Sequence, residues 1–234
     1  MPGGDAKSAT PQEHFAGNKY EADRRFEATK SYLSKDKSIL EIGSASGFFL
    51  SRIKSFVKEV AGIEQNAAHK EFSNGNGIPT YNSFEELKGK KFDIIFLYYL
   101  LEHIKYPVDF IKSITKLLKG HSSQIILEVP IVDEALVSLY KSPAYNEFVW
   151  QRAHCSYFSV KVLRDIFSKL GFTATLIPVQ RYDLSNHMYW LGQGKGGGMG
   201  KYAHVFSDAL NAQYRKDLND HWLCDSILLI AELN

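Results

Sequence analysis

The stretch Ser38-Ile39-Leu40-Glu41-Ile42-Gly43-Ser44-Ala45-Ser46-Gly47-Phe48-Phe49-Leu50 decides the fold of this chain. Its first five residues form a short apolar run, interrupted only by Glu41, as expected of a strand covered on both faces. Gly43 then permits a sharp turn, and Gly47 lets a following helix and any ligand come close. The amphipathic stretch from Gly47 to about Ser55 reads as that helix. Backbone N–H groups at a helix N-terminus lack intrahelical partners and are expected to point outward. Strand, glycine turn and helix in this order form the layout of a nucleotide cradle, although plain strand-to-helix packing uses the same pattern. The spacing is Gly-x-x-x-Gly, not the Gly-x-Gly-x-x-Gly of the dinucleotide fingerprint, and Glu41 stands two residues before the first glycine.

Working outward, strands and helices alternate, which predicts a parallel sheet covered by helices on both faces. Residues 13–33 read as a helix anchored by Phe15, Tyr20, Phe26 and Tyr32. Strands follow at 38–42, 58–64, 78–81, 92–97, 124–129, 172–179 and 226–231. Helices are expected at 66–72, 107–118 and 160–170. In the second of these Phe110, Ile111, Ile114, Leu117 and Leu118 form a 3.6-residue stripe. Two stretches, 131–159 and 180–221, break the alternation and are rich in Tyr, Trp and His. A structureless loop of that length is unusual inside a compact domain. They are read as lids that build an acceptor pocket, with an oligomer contact, such as a homodimer, or disorder as the alternatives. The glycine-rich segment 192–200 reads as a hinge or lid. Residues 1–12 read as a flexible tail, and 13–234 as a single domain.

At 234 residues, with 44% hydrophobic content, the chain can build a sizeable core. A net charge of +2 gives no footprint for nucleic acid. Two cysteines, Cys155 and Cys224, make neither a disulfide framework nor a metal quartet, which suits a reducing compartment. No apolar run is long enough to span a bilayer, and the N-terminus carries no apolar signal segment, so a cytoplasmic location is expected.

Glu64, about twenty residues after Gly43, stands where an open α/β nucleotide site places its ribose-binding acid. Dinucleotide enzymes share this acid. The acid-x-Gly-x-x-x-Gly pattern, by contrast, resembles the first motif of class I S-adenosylmethionine (SAM) methyltransferases. Further segments are similar, in order, to the UbiG-like and methyltransferase-23-like subfamilies. They are Phe92-Asp93 through Leu101-Glu102-His103 to Pro107, then Leu117 to Gly120, Ile126 to Pro130, His154 to Ser159, and Leu170-Gly171-Phe172. The resemblance covers about residues 36–179. It departs from the family at Ser44-Ala45-Ser46, and at Ser83, where the family often has an acid. The residues 180–191, the glycine run and Cys224-Asp225-Ser226 are similar to a tail in methyltransferases of sugar and surface-polysaccharide pathways.

The resemblance implies a Rossmann-like, seven-stranded α/β sheet with helices on both faces and lid insertions. It implies SAM as cofactor and S-adenosylhomocysteine as product. Carried over by position, Glu41, Gly43, Ser44 and Gly47 surround the methionine half. Glu64 holds the ribose with Gln65 beside it, Ser83 and Phe84 flank adenine, and Tyr98 and Leu100 line a wall. The acceptor implied is a small hydroxylated molecule, a sugar or nucleotide-sugar, methylated on oxygen, with nitrogen or carbon as alternatives.

Positioning a nucleophile can contribute about 7–11 kcal/mol, and a general base about 10²–10⁴-fold. Histidine suits a base near neutral pH. The candidates, in order, are His154, His103 and His187; each also has the reading of an ordinary hydrogen-bonded side chain. Glu102 is placed to orient His103 or cap a helix. His14, His69, His121, His204 and His221 read as surface residues. Neither Cys-x-x-Cys nor His-Glu-x-x-His occurs, so no metal is expected. The glycine run fails as a phosphate loop because Tyr202 stands where Ser or Thr belongs. A phosphate on the acceptor could still meet Lys195 and Lys201. Two other readings are a non-catalytic SAM-binding or partner-binding protein and an NAD(P) oxidoreductase, the latter disfavoured by the missing middle glycine.

Overall fold

The computed structural model describes residues 10–234. Seven strands form one sheet: β1 (Ser38–Ile42), β2 (Glu59–Ile63), β3 (Thr80–Tyr81), β4 (Ile94–Tyr98), β5 (Gln124–Pro130), β6 (Phe172–Val179) and β7 (Ser226–Leu233). Their order is β3-β2-β1-β4-β5-β7-β6. β1 pairs in parallel with β2 and β4, and β2 with β3, whereas β6 and β7 run antiparallel. Ten helices surround the sheet among the described residues. They are α1 (Pro11–Gly17), α2 (Lys19–Thr29), α3 (Phe48–Ile53), α4 (Ala67–Gly75), α5 (Pro107–Thr115), α6 (Ala135–Ser138), α7 (Pro143–Val149), α8 (Val160–Lys169), α9 (Leu184–Gln193) and α10 (Asp208–Asp220). This is the expected seven-stranded Rossmann-like architecture, with an antiparallel β6–β7 pair. No helix among the described residues is long and apolar enough to cross a membrane.

The chain divides into two compact units. The first runs through Leu97 and adds Ile114–Gln124. Every residue of β1 is buried. That explains why β1 reads as a continuous apolar run, since a central parallel strand has no solvent face. Its core joins Ile39 and Leu40 to Phe49, Leu50 and Ile53 of α3 and to Ile94–Leu97. The Phe49 and Phe96 rings meet edge to face at 5.0 Å. Because β1 lies between β2 and β4, the connections leave it in opposite directions. The crevice at its carboxyl end is the switch point where open α/β sheets bind ligands.

The second unit comprises Tyr98–Ser113 and Ile125–Asn234. Leu163 and Phe167 of α8 are fully enclosed, as are Ile125–Leu127, Val129, Ile227 and Leu229.

Several expectations need correction. Residues 1–9 of the expected tail lie outside the described residues, but Thr10, Pro11 and Gln12 begin structure. Thr10 Oγ1 accepts from the Glu13 N–H at 3.2 Å while the Glu13 carboxylate accepts from the Thr10 N–H at 2.9 Å. This reciprocal capping box starts α1. The single helix expected over 13–33 is broken at Asn18, whose side chain donates to the His14 carbonyl at 2.7 Å and competes for the ladder. The stretches read as lids carry helices, α6 and α7 in the first and α9 and α10 in the second. α7, α9 and α10 are capped by Ser142, Asp183 and Ser207, each accepting a backbone N–H from three residues on. The glycine run is a packed return. Gly194, at φ +64°, ends α9, and a Cβ on Gly198 would lie 2.2 Å from Tyr189 Cβ. Gly200 N–H donates to Asp183 Oδ2 at 2.8 Å.

Candidate functional site

In the first unit the turn after β1 is held from below. The N–H groups of Gly43 and Ser44 both donate to the Ile63 carbonyl, at 2.8 and 3.1 Å, and Gly47 N–H donates to the Ser44 carbonyl at 2.8 Å. These three donors are spent inside the protein and fix the shape of the turn before α3. Gly47 has φ +73° and caps α3; a Cβ there would lie 2.8 Å from Ser73 Oγ. Both the left-handed backbone and the close approach of α4 require glycine.

Glu64, at the end of β2, is clamped. One carboxylate oxygen accepts from Ala45 N–H at 2.9 Å and the other from Asn66 N–H at 2.7 Å. Each oxygen retains acceptor capacity, so the group can still take a pair of vicinal hydroxyls in a fixed orientation. Gln65 is exposed beside it. Ser83 and Phe84 follow β3, with the Ser83 side chain bonded to Glu85.

Glu41 differs from an ordinary strand residue. It is 2% exposed, and its Oε2 has no hydrogen-bond partner. Burial pushes its carboxyl up to about 8; Arg25 acts against this shift, and Glu64 adds to it. Ser44 Oγ is likewise buried and unpartnered. Ser44 Oγ faces β2, 2.4 Å from where a Cβ on Gly62 would stand; buried polar atoms are nearly always bonded, so the unpartnered carboxylate oxygen of Glu41 at the β1 turn points to a polar ligand that completes it. A buried carboxylate at the turn and a second carboxylate at the end of β2 fit the amino-acid and ribose parts of SAM.

His14, read from sequence as a surface residue, lies over this turn. Its Nδ1 is 2.9 Å from Ser46 Oγ, and its ring meets those of His69 and Phe48 at 5.1 and 5.6 Å. Burial lowers its pKa, with the charges of His69 and Arg25 acting in the same sense. No local sequence signal marks a contact spanning 32 residues.

The second unit holds the histidine candidates. Tyr98 is buried at the end of β4 and Leu100 is half-buried. Between them Tyr99 adopts φ +53°, a strained conformation of the kind found near functional sites. Its hydroxyl donates to Glu128 Oε1 and meets Ser226 Oγ, each at 2.7 Å, and the Arg181 guanidinium lies 4.6 Å from its ring centre. Arg181 in turn pairs with Asp225 at 2.8 Å.

His103 and His154 come together. Their ring centres are 4.8 Å apart and edge to face. His103 Nδ1 bonds to the Ala153 carbonyl at 3.0 Å. Cys155 and Ser156 N–H both donate to the Glu102 carbonyl, at 2.7 and 3.1 Å, which fastens the segment bearing His154 to the turn bearing His103. Glu102 is buried, its Oε2 has no partner, and burial raises its carboxyl to about 7. His154 Nδ1 is also buried without a partner. Burial lowers the His154 pKa, and the His103 charge lowers it further.

His187 is separate from this pair. It is 1% exposed in α9, with Nδ1 2.7 Å from Tyr214 Oη and Nε2 3.4 Å from Gln180 Nε2. Burial lowers it to about 4. Its ring nitrogens are engaged in a buried network that continues from Tyr214 to Tyr140 at 2.9 Å. That geometry suits a structural imidazole. Lys201 Nζ sits 4.2 Å from the Tyr189 ring centre.

A family model described as a methyltransferase domain matches residues 13–177. Among solved structures, a SAM-dependent methyltransferase from Archaeoglobus fulgidus aligns over 94% of this chain and 97% of its own, with 18% identity and a TM-score of 0.63. A structure titled as a possible histamine N-methyltransferase from Thermotoga maritima aligns over 94% of this chain and 92% of its own, with 18% identity and a TM-score of 0.60. Phosphoethanolamine N-methyltransferase 2 from Haemonchus contortus, solved with S-adenosyl-L-methionine, aligns over 93% of this chain and 52% of its own, at 16% identity and a TM-score of 0.56. At these identities the likeness is one of fold. No curated protein matches the chain in sequence.

Proposed function

The chain belongs to the methyltransferase domain family, and on that premise we propose that this SAM-dependent methyltransferase acts on the oxygen of a small hydroxylated acceptor, a sugar or a nucleotide-linked sugar. The observation that carries the cofactor assignment is the buried, unpartnered Glu41 Oε2 at the turn that Glu64 also clamps. SAM, when bound, supplies a methyl group made electrophilic by its sulfonium.

The protein's own residues do the rest. Glu41 takes the amino group of the methionine part, Ser44 and Gly47 lie along that part, and Glu64 with Gln65 holds the ribose hydroxyls. Ser83 and Phe84 flank adenine. The acceptor hydroxyl loses its proton at the Glu102–His103–His154 cluster, where a buried carboxylate and two imidazoles converge. The resemblance of the C-terminal stretch to sugar-pathway methyltransferases supports the sugar class of acceptor.

The test is incubation of purified protein with SAM and separate panels of nucleotide-sugars, free sugars and small amines, read by mass spectrometry. The amine arm is included because two of the structural neighbours carry amine substrates in their names. The account expects a gain of one methyl on a sugar hydroxyl. Methylation confined to the amine panel would overturn the acceptor class while leaving the cofactor assignment intact.

A further inference from the structure

Glu102, His103 and His154 each offer a ligand atom, and these atoms lie within 4.8 Å of one another; this is the one such group among the described residues. We propose that this cluster binds a divalent transition-metal ion, of the zinc, cobalt or manganese type, and that the ion's open positions take acceptor oxygens. The inference rests on the reading above, that this cluster handles the acceptor hydroxyl, and it names the means.

Four observations converge on it. First, two imidazoles and one carboxylate are the donor set that holds divalent metals on one face and leaves the other face open. Second, the distances are close to those a shared ion needs. Three ligand atoms about 2.1 Å from one ion and on one face of it stand about 3.0–3.4 Å apart, so side-chain rotations that bring each ligand atom inward by about 1 Å would close the set. Third, the cluster contains two buried atoms without partners, Glu102 Oε2 and His154 Nδ1. Leaving a buried acceptor unbonded costs about 1–3 kcal/mol, more when it is charged, and an ion at the centre would satisfy the carboxylate directly. Fourth, the outer contacts are already built. The Ala153 carbonyl accepts from His103 Nδ1–H, which leaves Nε2 with its lone pair as the ligand atom. The paired N–H donors of Cys155 and Ser156 on the Glu102 carbonyl fix the spacing of the two chain segments.

A plain histidine pair accounts for the ring contact but not for the unpartnered carboxylate oxygen beside it. A set split between adjacent residues 102–103 and a distant 154 forms no contiguous metal motif, so the sequence carries no local sign of it. In the proposed role an acceptor hydroxyl bound to the ion is acidified, its proton leaves to solvent water, and the resulting alkoxide remains on the ion. Its oxygen then forms the bond to the methyl carbon as the carbon–sulfur bond breaks, the electron pair staying on sulfur.

The experiment is titration of chelator-stripped protein with Co²⁺, followed by visible absorption and calorimetry, on wild type, Glu102→Gln, His103→Ala and His154→Ala. S-adenosylhomocysteine binding and circular dichroism are measured on the same samples. One equivalent of Co²⁺ with d–d bands is expected. Its affinity should fall at least about tenfold in each variant, with S-adenosylhomocysteine binding and folding retained. His103 is exposed, so its variant serves if removal of the buried Glu102 charge disturbs folding. Absence of Co²⁺ binding by wild type, or equal binding by the folded variants, would overturn the metal site. Failure of S-adenosylhomocysteine binding by wild type would strike the cofactor assignment instead.

Discussion

Occupancy of the β1 turn should release a proton. Glu41 is buried with a carboxyl raised to about 8 from its ordinary 4.5. At about pH 7 it is protonated by roughly ten to one, and ionising it costs about 1.4 kcal/mol. If Glu41 takes the cationic amino group of S-adenosylhomocysteine, only its ionised form binds well. The apparent dissociation constant then falls roughly fiftyfold between about pH 6 and pH 8 and levels off above about pH 9, following the ionised fraction. Calorimetry at about pH 7 in buffers of different ionisation enthalpy should show close to one proton released per site. Glu41→Gln should flatten the pH dependence and abolish the release. The ligand-free protein has the opposite dependence. Its folded state holds this proton more tightly than the unfolded chain does. Glu41 therefore contributes stability fully below about pH 4.5 and loses that contribution as pH rises through about 8. Stabilisation by the ligand should accordingly grow with pH over the same window. Affinity independent of pH from 6 to 8, with no proton release in wild type, would refute this role for Glu41.

Other perturbations have defined expectations. Gly198→Ala places a Cβ 2.2 Å from Tyr189 Cβ; overpacking of this kind costs about 1–3 kcal/mol, and thermal denaturation should show a Tm lowered by about 2–10 °C. Gly47→Ala combines φ +73° with a 2.8 Å approach to Ser73 Oγ. It should weaken S-adenosylhomocysteine binding in titration calorimetry by tenfold or more, on the order of 1.4 kcal/mol. Tyr99→Phe removes the hydroxyl that joins Glu128 and Ser226. Urea denaturation should show a loss of about 1–3 kcal/mol, and an unchanged midpoint would mean the network contributes nothing to stability.

The strands were legible because buried parallel strands have little choice of composition. Ser38–Ile42, Ile94–Tyr98 and Gln124–Pro130 are short apolar runs whose identity follows from having no solvent face. The turn at Gly43 and the helix start at Gly47 were legible from spacing alone. The helices α7, α9 and α10 are hard to read because Tyr, His and Asn interrupt their apolar periodicity, although the caps at Ser142, Asp183 and Ser207 are local signals. The His14–Ser46 contact had no such signal. The meeting of Glu102, His103 and His154 depends on two backbone hydrogen bonds to one carbonyl, and spacing carries no information about those. The state of Glu41 depends on burial by residues distant in sequence, so its identity was readable but its protonation was not.

The central claim is that the β1 turn with Glu64 binds SAM and not a dinucleotide. Calorimetric titration of the purified protein with S-adenosylhomocysteine, with NAD in parallel, tests it most directly. The account predicts micromolar binding of S-adenosylhomocysteine, none of NAD, and loss of that binding in Glu64→Ala. Binding of NAD with silence toward S-adenosylhomocysteine would contradict it.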